Sequence, residues 1–216
     1  MGSAVDLFSR RADSYARFIR FVRYSQGIRS YFLRSALLRP HLRILDAGCG
    51  TGALTLALRD ALVERGLPPS ALHGFDLTPA MLERLHAALR ARSISGIETR
   101  QADVLHLDQL PASWQGYDLV VSASMLEYVP PDRLAEALAG LRGRLAPEGR
   151  FVLFITRRNW LTRPLIGRWW QANLYDEAQL SERFRQAGFE SFRFGSFPVT
   201  ARHLSLWGHI VEASRC

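Results

Sequence analysis

Ile44-Leu-Asp-Ala-Gly-Cys-Gly-Thr-Gly-Ala53 carries the strongest structural signal in the chain. Residues 42–46 form a short apolar run that reads as a strand, and an amphipathic pattern opens at residue 53 that reads as a helix. Between them, Gly48, Gly50 and Gly52 allow a tight turn and leave bare backbone against which a ligand can lie. The helix beginning there offers its first amide groups to a carboxylate or phosphate. Read as Gly48-x-Gly50-x-x-Ala53, the stretch also satisfies the dinucleotide-binding fingerprint. On these residues alone both kinds of ligand stay open.

On either side of this stretch, the same alternation repeats. Strands are predicted at 42–46, 71–75, 97–101, 118–122 and 151–155, with helices near 53–65, 79–92 and 132–145. Strand–helix alternation of this kind predicts a parallel sheet covered by helices on both faces. A helix over 177–187 and two strands, near 189–194 and 206–211, complete the chain. Only a loop is predicted between those two strands, so they should pair as a hairpin with one strand antiparallel to the rest. The first forty residues read as helical. Phe8, Ala12, Tyr15, Ile19 and Val22 form one stripe, Gly27 is expected to end that helix, and a second runs to about residue 39. The expected organisation is a helical N-terminal cover, 1–40, and one domain, 41–216, with an insert at 156–175.

Three acids narrow the ligand. Asp46 puts an anion at the end of the first strand, which suits an ammonium group and suits a pyrophosphate poorly. Gly74-Phe-Asp-Leu-Thr-Pro-Ala-Met-Leu82 ends the second strand with Asp76, an acceptor for ribose hydroxyls, and Thr78 and Pro79 open the next helix. Gln101-Ala-Asp-Val104 ends the third strand with Asp103, placed to accept from an adenine amino group. Acids after three successive strands describe a nucleoside that bears a cationic amino-acid tail.

With these residues in place, the sequence resembles the class I S-adenosylmethionine-dependent methyltransferases over roughly residues 40–213. The glycine stretch resembles their first motif, 74–82 their second and Ala102-Asp-Val104 their third. Tyr117-Asp-Leu-Val-Val-Ser-Ala-Ser-Met-Leu-Glu-Tyr-Val129 resembles their fourth strand and the segment after it. Leu145-Ala-Pro-Glu-Gly-Arg-Phe-Val-Leu153 resembles the turn into the fifth, with Glu148 where a second glycine is commoner. The resemblance implies an α/β, Rossmann-like, seven-stranded and mostly parallel sheet with its last strand antiparallel. It also implies S-adenosyl-L-methionine as cofactor. Asp46, Gly48, Gly50 and Thr51 would surround its methionine end and Asp76 its ribose. Asp103 and Val104 would flank adenine, Leu77 and Met81 would pack on the base, and Ser122 would close the site near the sulfonium. An NAD-dependent oxidoreductase is the competing enzyme class. A cofactor-binding module without catalysis is the third reading.

The 216 residues carry a formal net charge of +8, and all 28 basic Lys+Arg positions are arginine. A lysine Schiff base and a lysine-dependent phosphate loop are therefore excluded. Residues 1–43 hold nine arginines against Asp6 and Asp13, a net +7, so the remainder is nearly neutral. Cys49 and Cys216 are too few for a disulfide framework or a zinc site, and no metal is expected. No apolar run reaches the roughly 20 residues of a membrane span, and the start lacks a secretion-signal pattern. A cytoplasmic enzyme is the expectation.

The acceptor is less legible. Ser122-Ala-Ser-Met125 lacks the Pro-Pro-aromatic element of amino-methylating DNA enzymes, and no Pro-Cys pair offers a nucleophile for cytosine, so no nucleic-acid partner is expected. The compact layout suits a small, hydrophobic acceptor methylated at O, N or C: a secondary metabolite, a quinone or a lipid-like molecule. Glu127 and Tyr128 are the candidates for acceptor contact or proton removal, and Tyr15, Arg157 and Trp160 for substrate binding. The insert 156–175 combines four arginines with Trp160, Trp169 and Trp170. It reads as an aromatic lid over the acceptor, as a peripheral membrane contact, or as a segment packed on its own domain.

Overall fold

The computed structural model of the chain describes residues 23–160, 162–168 and 171–215. At its centre, β1 (Arg43–Ala47) runs parallel to β2 (Ala71–Asp76) on one side and to β4 (Tyr117–Ala123) on the other. β3 (Ile97–Gln101) lies beyond β2, and β5 (Leu145–Thr156) beyond β4, both parallel. β7 (Gly208–Ser214) pairs antiparallel with β5 and with β6 (Ser191–Gly195), so β7 alone runs against the others. The seven strands stand in the order β3-β2-β1-β4-β5-β7-β6. The order reverses between β1 and β4, and in sheets of this kind ligands bind at that point, beyond the carboxyl ends of the strands.

Neighbouring residues on each strand face opposite sides and meet different helices. Ile44, Leu119, Val121, Val152 and Phe154 pack with α1 (Tyr24–Arg34) and α2 (Ala53–Glu64) on one side. Leu45, Val120, Phe151 and Leu153 pack with α4 (Leu134–Arg144) and α5 (Glu177–Gln186) on the other. α3 (Pro79–Ala91) closes the β2–β3 side, its Leu82 and Leu85 buried with Cys49. The sheet with helices on both faces is the architecture expected from the strand–helix alternation.

Two local expectations are corrected. Gly27 does not end a helix but lies inside α1, its N–H bonded to the Arg23 carbonyl at 3.1 Å. The β6–β7 connection is not a simple loop, because Val199–Leu206 turns helically against α1. The two corrections have one cause. A Cβ on Gly27 would sit 2.1 Å from Leu204 Cδ1 and 3.4 Å from Ala201 Cβ, so the missing side chain is what lets these segments touch. Gly27→Val is therefore expected to destabilise the fold by about 1–3 kcal/mol, as overpacking of a filled interior does. Urea unfolding measures it, and unchanged stability would show that the contact yields freely. The stripe from Phe8 to Val22 lies outside the described residues.

Candidate active site

The glycine loop ends β1 at the switch point. Gly48, Gly50 and Gly52 have φ of +75°, +51° and +89°, the left-handed region that side-chain-bearing residues avoid. Two amides anchor the loop to β2: Gly48 N–H and Cys49 N–H both donate to the Phe75 carbonyl, at 2.8 and 2.9 Å. At Gly48 a Cβ would lie 2.3 Å from Met125 Cγ, so the loop and the segment after β4 touch through bare backbone.

Asp76 joins this loop to the next. Its Oδ2 accepts from Gly50 N–H at 2.9 Å and its Oδ1 from Thr78 N–H at 2.8 Å. Burial pushes the carboxyl above its ordinary value, and the two amides pull against that push. The Thr78 side chain bonds the same carboxyl, which lines the cavity where a ribose-binding acid is expected. After β3, Asp103 Oδ1 accepts from Leu105 N–H at 2.9 Å, and its own N–H donates to Gln109 Oε1 at 3.0 Å.

A cavity of about 210 Å³ opens over these loops. Of the residues singled out in the sequence, Gly48, Gly50, Thr51, Asp76, Leu77, Met81, Asp103, Val104 and Tyr128 line it. The structure thus gathers the glycine loop and the acids after β2 and β3 around one space. The same lining includes Tyr24, Ser124, Met125, Val129 and Pro130, which were not named as site residues. Four of them fall in the segment after β4. Tyr24 lies just past the predicted apolar stripe, so nothing local marked it. Ser124 has φ +53°, and its hydroxyl lies 3.4 Å from that of Tyr24.

Other residues take different places. Asp46 is fully buried and does not line the cavity; its Oδ2 accepts from Thr55 Oγ1 at 2.5 Å, which ties β1 to α2. Its Oδ1 has no hydrogen-bond partner among the described residues, and burial, reinforced by the nearby Asp76, raises the carboxyl to about 7. Ser122 is likewise buried away from the cavity, because its hydroxyl donates to the Ala47 carbonyl at 2.8 Å between β4 and β1. Ser124, two residues on, lines the cavity instead.

Glu127 also departs from expectation. It sits in the short helical turn Leu126–Tyr128 with its side chain turned inward. There it accepts from Thr156 N–H at 2.8 Å and Thr156 Oγ1 at 3.0 Å. Its own carbonyl accepts from Asn173 N–H at 2.8 Å. The carboxyl thus fastens the end of β5, next to the insert, instead of facing an acceptor, and burial raises it to about 7.

Arg157 and Trp160 do not line the cavity either. Arg157 lies 3.9 Å from Glu177, Arg158 pairs with Asp176, and Trp160 is 85% exposed. Arg158 N–H bonds the Tyr175 carbonyl, so the two ends of the insert meet. Tyr15 lies outside the described residues. Cys49 is buried, and burial first, then Asp46 and Asp76, push its thiol well above the ordinary range, so it stays protonated. His209 is held neutral by burial and by Arg157, away from the cavity.

The arrangement suits S-adenosylmethionine. Gly48 and Gly50 leave bare backbone along the cavity, Asp76 offers a carboxylate to it, and Leu77, Met81 and Val104 supply apolar surface near Asp103. A family model described as a methyltransferase domain matches residues 44–149. A carboxy-S-adenosyl-L-methionine synthase of Ectopseudomonas mendocina is 32% identical over 126 residues, 56% of this chain and 48% of that protein. The chain therefore spans about half the length of that relative. The synthase of the same name from Vibrio campbellii is 29% identical over 88% of this chain and 85% of its own length.

Among solved structures, magnesium protoporphyrin IX methyltransferase from Synechocystis PCC 6803 with bound SAH superposes with a TM-score of 0.69. It is 19% identical and covers 98% of both chains. The CMeT domain of the citrinin polyketide synthase superposes with a TM-score of 0.64 at 16% identity, over 80% of this chain and 46% of that one. The domain match runs from β1 into the first part of β5, the fold agrees across the sheet, and the chain belongs to the class I S-adenosylmethionine-dependent methyltransferases.

Proposed function

We propose that the chain methylates O, N or C of a small, predominantly hydrophobic acceptor, a secondary metabolite, quinone or lipid-like molecule. The observation that carries this reading is the composition of the cavity lining, which falls into two sets of residues. One part holds the glycines, Asp76 and Asp103; the other is Tyr24, Met125, Tyr128, Val129 and Pro130 with the Ser124 hydroxyl. The first would hold the nucleoside and amino-acid ends of the cofactor, which when bound supplies an electrophilic methyl group. The second would hold the acceptor. Apolar walls there exclude water, and in-line displacement depends heavily on such positioning. Tyr24 and Ser124 would orient a polar atom of the acceptor, since their hydroxyls face one another at the cavity wall.

The relatives' name points to a second reading, formation of a carboxylated cofactor. That product carries an extra carboxylate, for which an arginine or histidine in the lining would be the natural partner. The described lining has Asp76 and Asp103 as its charged residues and neither arginine nor histidine, which favours methyl transfer to a neutral acceptor.

Incubation with methyl-labelled S-adenosylmethionine and a panel of phenols, hydroxyquinones and aromatic amines tests the proposal. Label is expected in a product extractable into organic solvent. With the best acceptor of that panel, the double variant Tyr24→Phe, Ser124→Ala should raise KM about tenfold, the worth of one hydrogen bond, while S-adenosylhomocysteine binds as before. Transfer to none of the panel, or mass-spectrometric detection of a carboxylated cofactor instead, would reject it.

A further inference from the structure

We propose that the surface carrying Trp160, Val199 and Leu206 docks the protein on an anionic lipid bilayer. These three are exposed by 85%, 82% and 61%, and they lie in two stretches, 157–168 and 199–206, that meet beside Leu206. Asn159 Nδ2 donates to the Leu206 carbonyl at 2.6 Å, and Arg157 N–H donates to the Trp207 carbonyl at 2.9 Å. Trp160 therefore comes directly after a residue bonded to Leu206. A tryptophan so far out of the core is unusual in a folded domain, and an aromatic ring beside aliphatic side chains is the composition of a bilayer interface.

Charge singles out the kind of partner. Residues 157–168 contain Arg157, Arg158, Arg163 and Arg168, residues 199–206 contain Arg202, and neither stretch has an acid. Arg157 and Arg158 are engaged by Glu177 and Asp176, whereas Arg163 and Arg202 are exposed. Exposed apolar side chains and exposed arginines on the same two stretches complement a surface of acyl chains beneath anionic headgroups. The patch also has a position that matters. Thr156 pairs with Gly208, and Phe154 with Ala123, so both stretches leave the sheet at the end where Ala123 and Ser124 line the cavity. Docking there would bring the cavity close to a membrane-dissolved acceptor. That last step rests on the proposed function; the docking itself does not.

Flotation of the full chain with vesicles of phosphatidylcholine alone, or of phosphatidylcholine with phosphatidylserine, tests the proposal. The chain should float with the phosphatidylserine vesicles and much less with phosphatidylcholine, and high salt should weaken the binding. Trp160→Ala with Leu206→Ser should lower the apparent affinity about tenfold or more. Arg163→Gln with Arg202→Gln should weaken binding and flatten its salt dependence. Thermal unfolding of each variant near the wild-type midpoint separates a lost contact from a lost fold. No flotation of the wild type at low salt would overturn the proposal, as would full flotation of the Trp160/Leu206 variant. So would sedimentation showing that Trp160 and Leu206 instead join two copies of the chain. None of these outcomes bears on whether methyl transfer occurs, because no acceptor is present.

Discussion

Asp76→Ala is expected to weaken S-adenosylhomocysteine binding about a hundredfold or more, with calorimetry as the measurement. The carboxylate at the end of β2 has two duties. It accepts from Gly50 N–H and Thr78 N–H, at 2.9 and 2.8 Å, which sets the glycine loop and the start of α3 relative to one another. The residue also lines the cavity, where a ribose diol would donate to the carboxylate. A hydrogen bond to a charged group contributes about 1.5–3 kcal/mol, so losing two exceeds the roughly 2.7 kcal/mol that corresponds to a hundredfold change. Asp76→Asn separates the duties. One oxygen can still accept from one of the two amides, so half of the loop contact is kept, while the acceptor capacity toward the cavity is reduced. An intermediate loss is expected there. Binding by Asp76→Ala within about threefold of the wild type would remove Asp76 from the cofactor site.

Glu127→Gln is expected to abolish much of the fall in stability between about pH 5 and pH 8. Burial raises the Glu127 carboxyl from its ordinary 4.5 to about 7 in the folded chain. The folded state therefore holds its proton more tightly than the unfolded state does. The resulting stability is fully present below about pH 4.5 and is lost as pH rises through about 7. A shift of this size corresponds to a loss on the order of 3 kcal/mol. Glutamine keeps an acceptor for Thr156 N–H and carries no titrating group. Urea unfolding at the two pH values measures the change. The variant should gain on the wild type as pH rises, because Asp46, buried and raised in the same direction, remains in both proteins. A constant difference between the two proteins at both pH values would rule out this role for Glu127.

Much of the fold was legible because its determinants are local. The β1 pattern, the glycines at 48, 50 and 52, and the acids at or just past the ends of the first three strands are properties of short segments. Period-two burial on strands and period-3.6 burial on helices follow from backbone geometry. The site was legible to the same extent, since Asp76 and Asp103 occupy strand ends that the topology must bring to one edge.

Side-chain destinations were not legible in this way. Glu127 and Ser122 looked like site residues because they come at or after the end of a strand aimed at the cavity. Their actual partners, Thr156 and Ala47, lie 29 and 75 residues away. Tyr24 meets Ser124 across 100 residues, and Gly27 reads as a terminator until Leu204 is seen against it. Sequence alone specified the α/β sheet, the glycine loop and the class of cofactor, each written in short-range periodicity and in residue types with restricted backbone freedom. Tertiary packing settled which hydroxyls and carboxyls face the cavity and which are consumed in holding the chain together. That choice depends on contacts between distant segments, whose register emerges only once the whole interior is packed.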